Sequence, residues 1–329
     1  MRRRDFIVGF AGAAVWPLAA RAQQSAMPVI GWLNSGSPVN NRGPELEPFF
    51  KGLNEMGYVE GRNVAIEYRH AENQYDRLPA LAAELVRRRV AVIVAVGNAN
   101  SAMAAKAATA TIPIVFLNGS DPIKVGLVPS LSRPGGNVTG ISYFTSTLVA
   151  KRLELLREIV HRAATATIGF LTNPTNLISE GDTADMQAAA RSIGQQINVL
   201  RASTVNEIDA AFAAAAERHL GALLVDGDNL FNQRRDQMTA LAARYKIPSS
   251  YPNRVFTEAG GLTSYGENRL EPNRQAGIYV GRILKGDKPS DLPVQQPTKF
   301  ELLVNLKAAK AIGLTIRESF LLRADEVIE

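Results

Sequence analysis

From residue 29 onward two patterns of apolar residues take turns along the chain. Short apolar or alternating runs at 29–33, 64–68, 91–96 and 114–117 read as strands. Between them, 45–56, 75–89 and 101–109 carry their apolar residues at helical spacing. In 75–89 these are Leu78, Leu81, Ala82, Leu85 and Val86, one face of a helix. The run 91–96 contains no charge, which predicts a strand covered on both faces. Strand and helix in strict alternation predict a parallel, doubly wound sheet.

The pattern then starts afresh after "PGGNVTGIS" at 134–142. Helices are expected at 149–160, 179–192, 207–218 and 234–245, and strands at 167–171, 198–201, 222–225 and 247–250. That is a second open sheet. The tail holds a strand at 261–265, a helix at 272–284, a Pro-punctuated crossing and a last segment at 299–311. A lone strand and helix need a sheet already built, so they are expected to return to the first lobe. The expected division is 27–141 plus 261–287 for the N-terminal lobe and 142–260 plus 288–329 for the C-terminal lobe. Crossings near 141–143, 252–260 and 288–293 would form a multi-strand hinge between these two α/β lobes.

In open parallel sheets, ligands bind outside the carboxyl ends of the strands. The loops expected there are rich in groups that make directional hydrogen bonds. In the first lobe they supply Asn34, Ser35, Asn98, Asn100, Ser101 and Asp121. In the second they supply Asn173, Asn176, Asp226, Asp228 and Asn229. Ser264 and Tyr265 complete the set, at the end of the strand assigned back to the first lobe. Asn100 or Ser101 also suits the cap of the helix that follows, whose free N–H groups would receive a carboxylate. The rings of Trp32, Tyr143, Phe144, Tyr251 and Tyr265 lie beside these loops and are candidates to stack on a ligand. The competing role for each ring is core packing, and for each polar residue a plain turn or cap.

Catalytic readings find less support. The first strand runs out through Gly31-Trp32-Leu33-Asn34-Ser35-Gly36, which lacks the G-x-G-x-x-G of a dinucleotide site. Gly135-Gly136-Asn137 precedes a strand-like stretch and does not form a phosphate loop, and no Walker lysine or G-x-S-x-G elbow occurs. Asp226 and Asp228 could make a metal or acid/base pair, but receiving a ligand's cation or shaping the turn fits them better. No catalytic residue, metal or cofactor is expected.

The N-terminus changes the picture of where the protein works. Arg2 to Arg4 are followed by a mostly apolar run from Phe6 to Ala20 and then Ala20-Arg21-Ala22, the three parts of a cleavable export signal over 1–22. Arg3-Arg4-Asp5-Phe6-Ile7 fits the twin-arginine variety, with an ordinary Sec signal or an uncleaved anchor as the alternatives. The formal charge of +6 includes four Arg and one Asp in residues 1–22, so +3 remains after them. That near balance gives no case for nucleic-acid binding. With no cysteine, disulfides, thiolate metal sites and a lipid-carrying cysteine are all ruled out. The three histidines, His70, His161 and His219, are far apart and suit no metal motif.

Three stretches together resemble a known family. They are "FFKGLNEMGYVEGRNVAIEYRHAENQYDRL", "IPIVFLNGSDPIKVGLVPSLSRPGGNVTGIS" and "GGLTSYGENRLEPNRQAGIYVGRILKGDKPSDLPVQQPTKFELLVNLKAAKAIGL". The chain is similar over nearly its whole length after residue 22 to the ABC-transporter substrate-binding proteins of periplasmic type I fold related to the tryptophan/tyrosine-binding group. The resemblance implies a small ligand, often an aromatic amino acid, held between two lobes. It places that ligand against Asn98 to Ser101, Asp121, Asn173 to Asn176, Asp226 to Asn229 and Ser264-Tyr265. The loop "VGNANS" departs from the Thr-Pro-Ala loop common in relatives, and "DGDN" from their Pro-Thr-Asp-Asn. The fold therefore carries over, and the amino-acid specificity does not.

The resulting expectation is an exported, monomeric, non-enzymatic solute receptor. It would work in the periplasm, close on an amino acid or related small carboxylate, an aromatic one being preferred, and pass it to an inner-membrane ABC permease. A sensor subunit presenting its bound form to a membrane kinase or cyclase is the first alternative, and an enzyme on the same fold the second. Neighbouring genes for a permease and an ATPase would favour transport.

Overall fold

The computed structural model describes residues 27–38, 46–160 and 166–329. The expected export signal over 1–22 and His161 lie outside the described residues. The strands are β1 (Val29–Asn34), β2 (Ala65–His70), β3 (Val92–Val96), β4 (Ile114–Asn118), β5 (Val138–Ser142), β6 (Ile168–Thr172), β7 (Ile197–Arg201), β8 (Ala222–Val225), β9 (Ser249–Tyr251), β10 (Thr263–Glu267), β11 (Phe300–Asn305) and β12 (Glu326–Ile328). The helices are α1 (Glu47–Glu55), α2 (Leu78–Arg87), α3 (Ala99–Ala108), α4 (Val149–Ile159), α5 (Ser179–Ser192), α6 (Val205–Glu217), α7 (Asn229–Gln233), α8 (Arg235–Arg244), α9 (Arg254–Glu258), α10 (Leu270–Leu284), α11 (Leu306–Ala311) and α12 (Glu318–Leu321).

The first sheet runs β2-β1-β3-β4-β5 and is parallel throughout. Strands β3, β4 and β5 are buried at every position, as their uncharged sequences require of strands covered on both faces. The second sheet runs β12-β11-β10-β9-β8-β6-β7. Its segment β7-β6-β8-β9-β10 repeats the order of the first sheet strand for strand. Beyond β10, β11 pairs antiparallel, and β12 lies parallel to β11. Each sheet has apolar layers on both faces, so each lobe has its own core.

This repeat corrects the assignment of the tail strand. Strand β10 was expected in the first lobe, yet it pairs with β9 in the second sheet and occupies the place that β5 takes in the first. Helix α10 does return to the first lobe. It packs on α1 at a crossing so close that a methyl at Gly52 would collide with the carbonyl of Arg274, and one at Gly277 with that of Phe49. The residues of α10 that face inward, Ala276, Val280 and Ile283, join the core containing Trp32 and Phe49.

The hinge is displaced accordingly. The chain passes between lobes at 142–145, 267–270 and 295–300. Two of these passages run side by side, with Ser142 N donating to Gln295 O at 3.0 Å and Gln295 N to Gly140 O at 3.0 Å. The expected crossing at 252–260 instead holds α9, inside the second lobe. The stretch 288–293 stays on the first lobe, where Thr139 Oγ1 donates to Leu292 O at 2.6 Å.

Candidate functional site

The order β2-β1-β3-β4-β5 reverses between β1 and β3, and the corresponding reversal in the second sheet lies between β6 and β8. Adjacent loops part at such a point and leave a crevice at the carboxyl ends of the strands. The two crevices face one another. Asn229 Nδ2, after β8, donates to Ser35 Oγ, after β1, at 3.3 Å. Asn100, in the first turn of α3, donates to Thr175 O at 3.1 Å and accepts from Leu177 N at 3.0 Å. Gln233 Oε1 accepts from Asn73 Nδ2 at 3.0 Å and Ser37 Oγ at 3.3 Å. At the rim Lys124 Nζ meets Asp185 at 2.7 Å. With both walls bridged at so many points, the lobes are closed on each other.

Between them is a cleft of about 700 Å³, lined by Asn34, Gly97, Tyr143, Asn229, Asn232, Gln233, Arg269 and Asn273 among others. It narrows to a recess shared by Gly97, Asn98 and Ala99 of the first lobe and by Asn176, Asp182, Gly227 and Asp228 of the second. The volume suits a small organic molecule. The first-lobe wall is the N-terminus of α3. Asn98 occupies the cap position with extended backbone but makes no capping bond, so the N–H groups of the first turn are not covered by it. They carry the partial positive charge of a helix start. Gly97 has φ +102°, and a side chain there would run into Ser35 Oγ, so glycine lets the two loops approach.

The second-lobe wall is acidic. Asp228 is 3 % exposed and caps α7 by accepting from Leu230 N at 2.9 Å. It also accepts from Asn173 Nδ2 at 3.0 Å, Asn176 Nδ2 at 2.9 Å and, from the opposite lobe, Tyr75 Oη at 3.1 Å. Burial raises the Asp228 carboxyl above its usual range, against the pull of these donors. Burial, with Asp228 adding to it, drives the Tyr75 hydroxyl well above its ordinary value, so Tyr75 is the proton donor. Asp226 is also buried, and accepts from Thr172 Oγ1 at 3.1 Å and Gly227 N at 2.8 Å. Beneath it Arg152, 0 % exposed, donates Nη1 to Val225 O at 3.0 Å while Nε and Nη2 lack partners. Asp182 reaches the recess from the first turn of α5, and burial, followed by the charge of Asp226, pushes its carboxyl up to about 9. Arg269 stands where the chain crosses into α10. Its guanidinium lies 4.6 Å from the Tyr143 ring centre and Nε donates to Glu267 at 2.8 Å. Tyr143 Oη in turn donates to Asn273 Oδ1.

The expected site residues thus divide. Asn34, Asn98, Tyr143, Asn176, Asp228 and Asn229 line the cleft or recess. Ser35, Asn100 and Asn173 bridge or brace its walls. Asp226 is set behind the wall, against Thr172. Trp32 is corrected: it is fully buried in the first-lobe core, edge-on to Phe49 at 5.1 Å, because its place on β1 points it at α1 and α10. Tyr251 is likewise core, stacked on Phe256 at 4.6 Å. Tyr265 packs against the second-lobe core and Phe300. Ser264 is buried within β10, and Ser101 turns its hydroxyl back to Val96 O at 2.9 Å. Asp121 closes its own turn, accepting from Ile123 N and Lys124 N. Tyr75, Asp182, Asn232, Arg269 and Asn273 are the residues that sequence reasoning missed. Among the described residues no cluster of three or more acidic or histidine side chains could hold a metal, and no helix is long and apolar enough to cross a membrane.

This geometry has counterparts. A tyrosine-binding protein from Clostridioides difficile is 28 % identical over 266 residues, covering 81 % of this chain and 75 % of that protein. The structure of a domain from Streptococcus pneumonia in complex with L-Trp superposes with a TM-score of 0.78 at 25 % identity, over 92 % of this chain and 99 % of that one. A ligand-free, open structure of a substrate-binding protein with adhesive properties from Clostridium difficile gives 0.62 at 27 % identity with the same coverages. The better fit to the ligand-bound form agrees with the bridged cleft seen here. Residues 44–328 match the family described as ABC transporter substrate binding protein, and the chain belongs to that family, with the two-lobe type I fold of its tryptophan- and tyrosine-binding relatives.

Proposed function

We propose that this protein is the solute-binding component of an ABC importer, capturing an amino acid or related small carboxylate between its lobes and delivering it to an inner-membrane permease. The observation that carries this reading is the opposed polarity of the recess. A helix N-terminus without a side-chain cap forms one wall, and buried acids form the other. A ligand with a carboxylate at one end and an amine or hydroxyl at the other would bridge them. Its apolar body would occupy the wider cleft beside Tyr143, Leu46, Leu117 and Leu270. The tyrosine- and tryptophan-binding relatives support an aromatic body. Binding then shifts an open–closed equilibrium by the ligand's preference for the closed form. In this reading the protein is exported to the periplasm through its N-terminal twin-arginine segment and works there as a monomer, without catalysis.

A thermal-shift panel tests it. In a panel of amino acids, aromatic acids, other small carboxylates, neutral sugars and nucleosides, at least one of the carboxylates should raise the unfolding midpoint with concentration, as mass action requires. A panel in which only neutral sugars or nucleosides raise the midpoint would overturn the proposal.

A further inference from the structure

Three second-lobe carboxyls lie at or behind the recess, and they are not equivalent. Asp226 is engaged by Thr172 and Gly227 N. Asp228 is saturated by Tyr75, Asn173, Asn176 and Leu230 N. Asp182 lines the same recess at 3 % exposure, yet its Oδ2 has no hydrogen-bond partner. Among the described residues no base reaches it to form an ion pair. Arg152 gives Nη1 to the Val225 carbonyl, and Lys124 is held by Asp185 at 2.7 Å.

We propose that Asp182 receives the cationic end of the ligand, an ammonium group, and so makes closure selective for amines. This rests on the solute-receptor reading above and names the group within it that reads the amine. Asp228 is displaced from that role because its lone pairs are already taken, and Asp226 because it lies behind the wall, where it accepts from Thr172 and Gly227 N.

The physical logic is that closing an empty cleft strips water from Asp182 and returns no donor to it, an unfavourable burial. The charged groups around it do not correct this. Arg152 on α4 and Lys124 on the loop after β4 favour its ionised form, whereas Asp226 after β8 and Asp185 on its own helix oppose it. Asp228 and Arg269 share the recess. With the Lys124–Asp185 pair set aside, three acids, Asp226, Asp228 and Glu267 behind the wall, face Arg152 and Arg269, an excess of one negative charge before Asp182 is counted. In the empty closed cleft burial holds the Asp182 carboxyl up at about 9, so it is neutral there. An ammonium entering the recess supplies both the missing charge and N–H donors. Closure therefore becomes easier with an amine bound than without one.

The test compares wild type, Asp182→Asn and Asp182→Glu by thermal shift and calorimetry. The probes are L-tyrosine, L-tryptophan and L-leucine, each paired with its deaminated acid. The expected result is at least a tenfold loss of amino-acid affinity in Asp182→Asn, partial recovery in Asp182→Glu, and deaminated acids bound no worse by Asp182→Asn than by wild type. Calorimetry of the wild type near neutral pH in two buffers of different ionisation enthalpy should show proton uptake with a deaminated acid, whose closure buries Asp182 without a counter-charge, and none with the amino acids. That measurement decides the matter should Asp182→Asn fail to fold. Equal amino-acid affinity in wild type and Asp182→Asn, or the same proton uptake with amino acids as with their deaminated acids, overturns the role of Asp182 and leaves the receptor reading standing. Preferential binding of deaminated acids by wild type does the same. Failure of every probe to bind wild type sinks the small-carboxylate reading and this proposal with it.

Discussion

Replacing Tyr75 by Phe removes one hydroxyl that bridges the lobes. In the closed form it donates to both oxygens of Asp228 at 3.1 Å, across 153 residues of sequence. A buried hydrogen bond to a charged acceptor contributes about 1.5–3 kcal/mol. Asp228 keeps Asn173, Asn176 and Leu230 N after the change, so it is not left unsatisfied, and the lower end of that range applies. In the open form the hydroxyl would be free to bond to water, so the loss falls on closure. The expected outcome is a reduction in ligand affinity of roughly 10-fold, from about 1.4 kcal/mol per decade. The melting point of the ligand-free protein should be unchanged. Calorimetric titration with the compound giving the largest thermal shift measures the affinity, and a melt of the unliganded variant provides the control. An affinity within twofold of wild type would refute the assignment of Tyr75 as a closing contact. A large drop in the unliganded melting point would show that the bond serves folding instead.

Trp32→Ala should cost about 3–5 kcal/mol in urea unfolding, because it empties a core position packed by Phe49 and Phe50. Trp32→Phe should leave ligand affinity within about threefold, a result that a stacking role would not allow. The Asp182 carboxyl is raised in the folded protein above its unfolded value of 3.8. The folded state therefore binds more protons than the unfolded one, and stability present below about pH 4 is lost as pH rises toward about 9. Closure without ligand should therefore become less favourable across that window, read by scattering as a radius of gyration of the ligand-free protein that rises with pH, and Asp182→Asn should flatten the rise. Changing Arg3 and Arg4 together to Lys should leave precursor in the cytoplasm on fractionation, whereas normal periplasmic accumulation would point to the Sec route.

Local pattern revealed the elements well, since α5 and β8 begin and end where periodicity placed them. What it could not supply was the lobe to which an element belongs. Strand β10 and helix α10 are separated by only Asn268 and Arg269, yet the crossing falls there. Adjacency in the chain does not fix adjacency in space, and Trp32, one residue from the end of its predicted strand, shows the same. A side chain near the end of a strand can point to the helix layer, as Trp32 does, while Asn34 two residues on reaches the cleft through the turn it closes onto Gly36 N. Tyr75 and Asp182 were hidden for another reason. Each sits in the first turn of a helical run, where a polar residue passes for ordinary surface, and its cleft neighbours come from distant parts of the chain. The Asn- and Asp-rich loops were legible because they follow β1, β3, β6 and β8, the strands that flank the two reversals of order.

On the proposed function, a small ligand draws the two lobes together about the crossings at 142–145, 267–270 and 295–300. Small-angle scattering on the purified protein, free and saturated with the compound selected by thermal shift, tests it most directly. The radius of gyration should be smaller with ligand, and the bound-state profile should match the closed structure. An unchanged radius at a concentration that calorimetry shows to be saturating would contradict it.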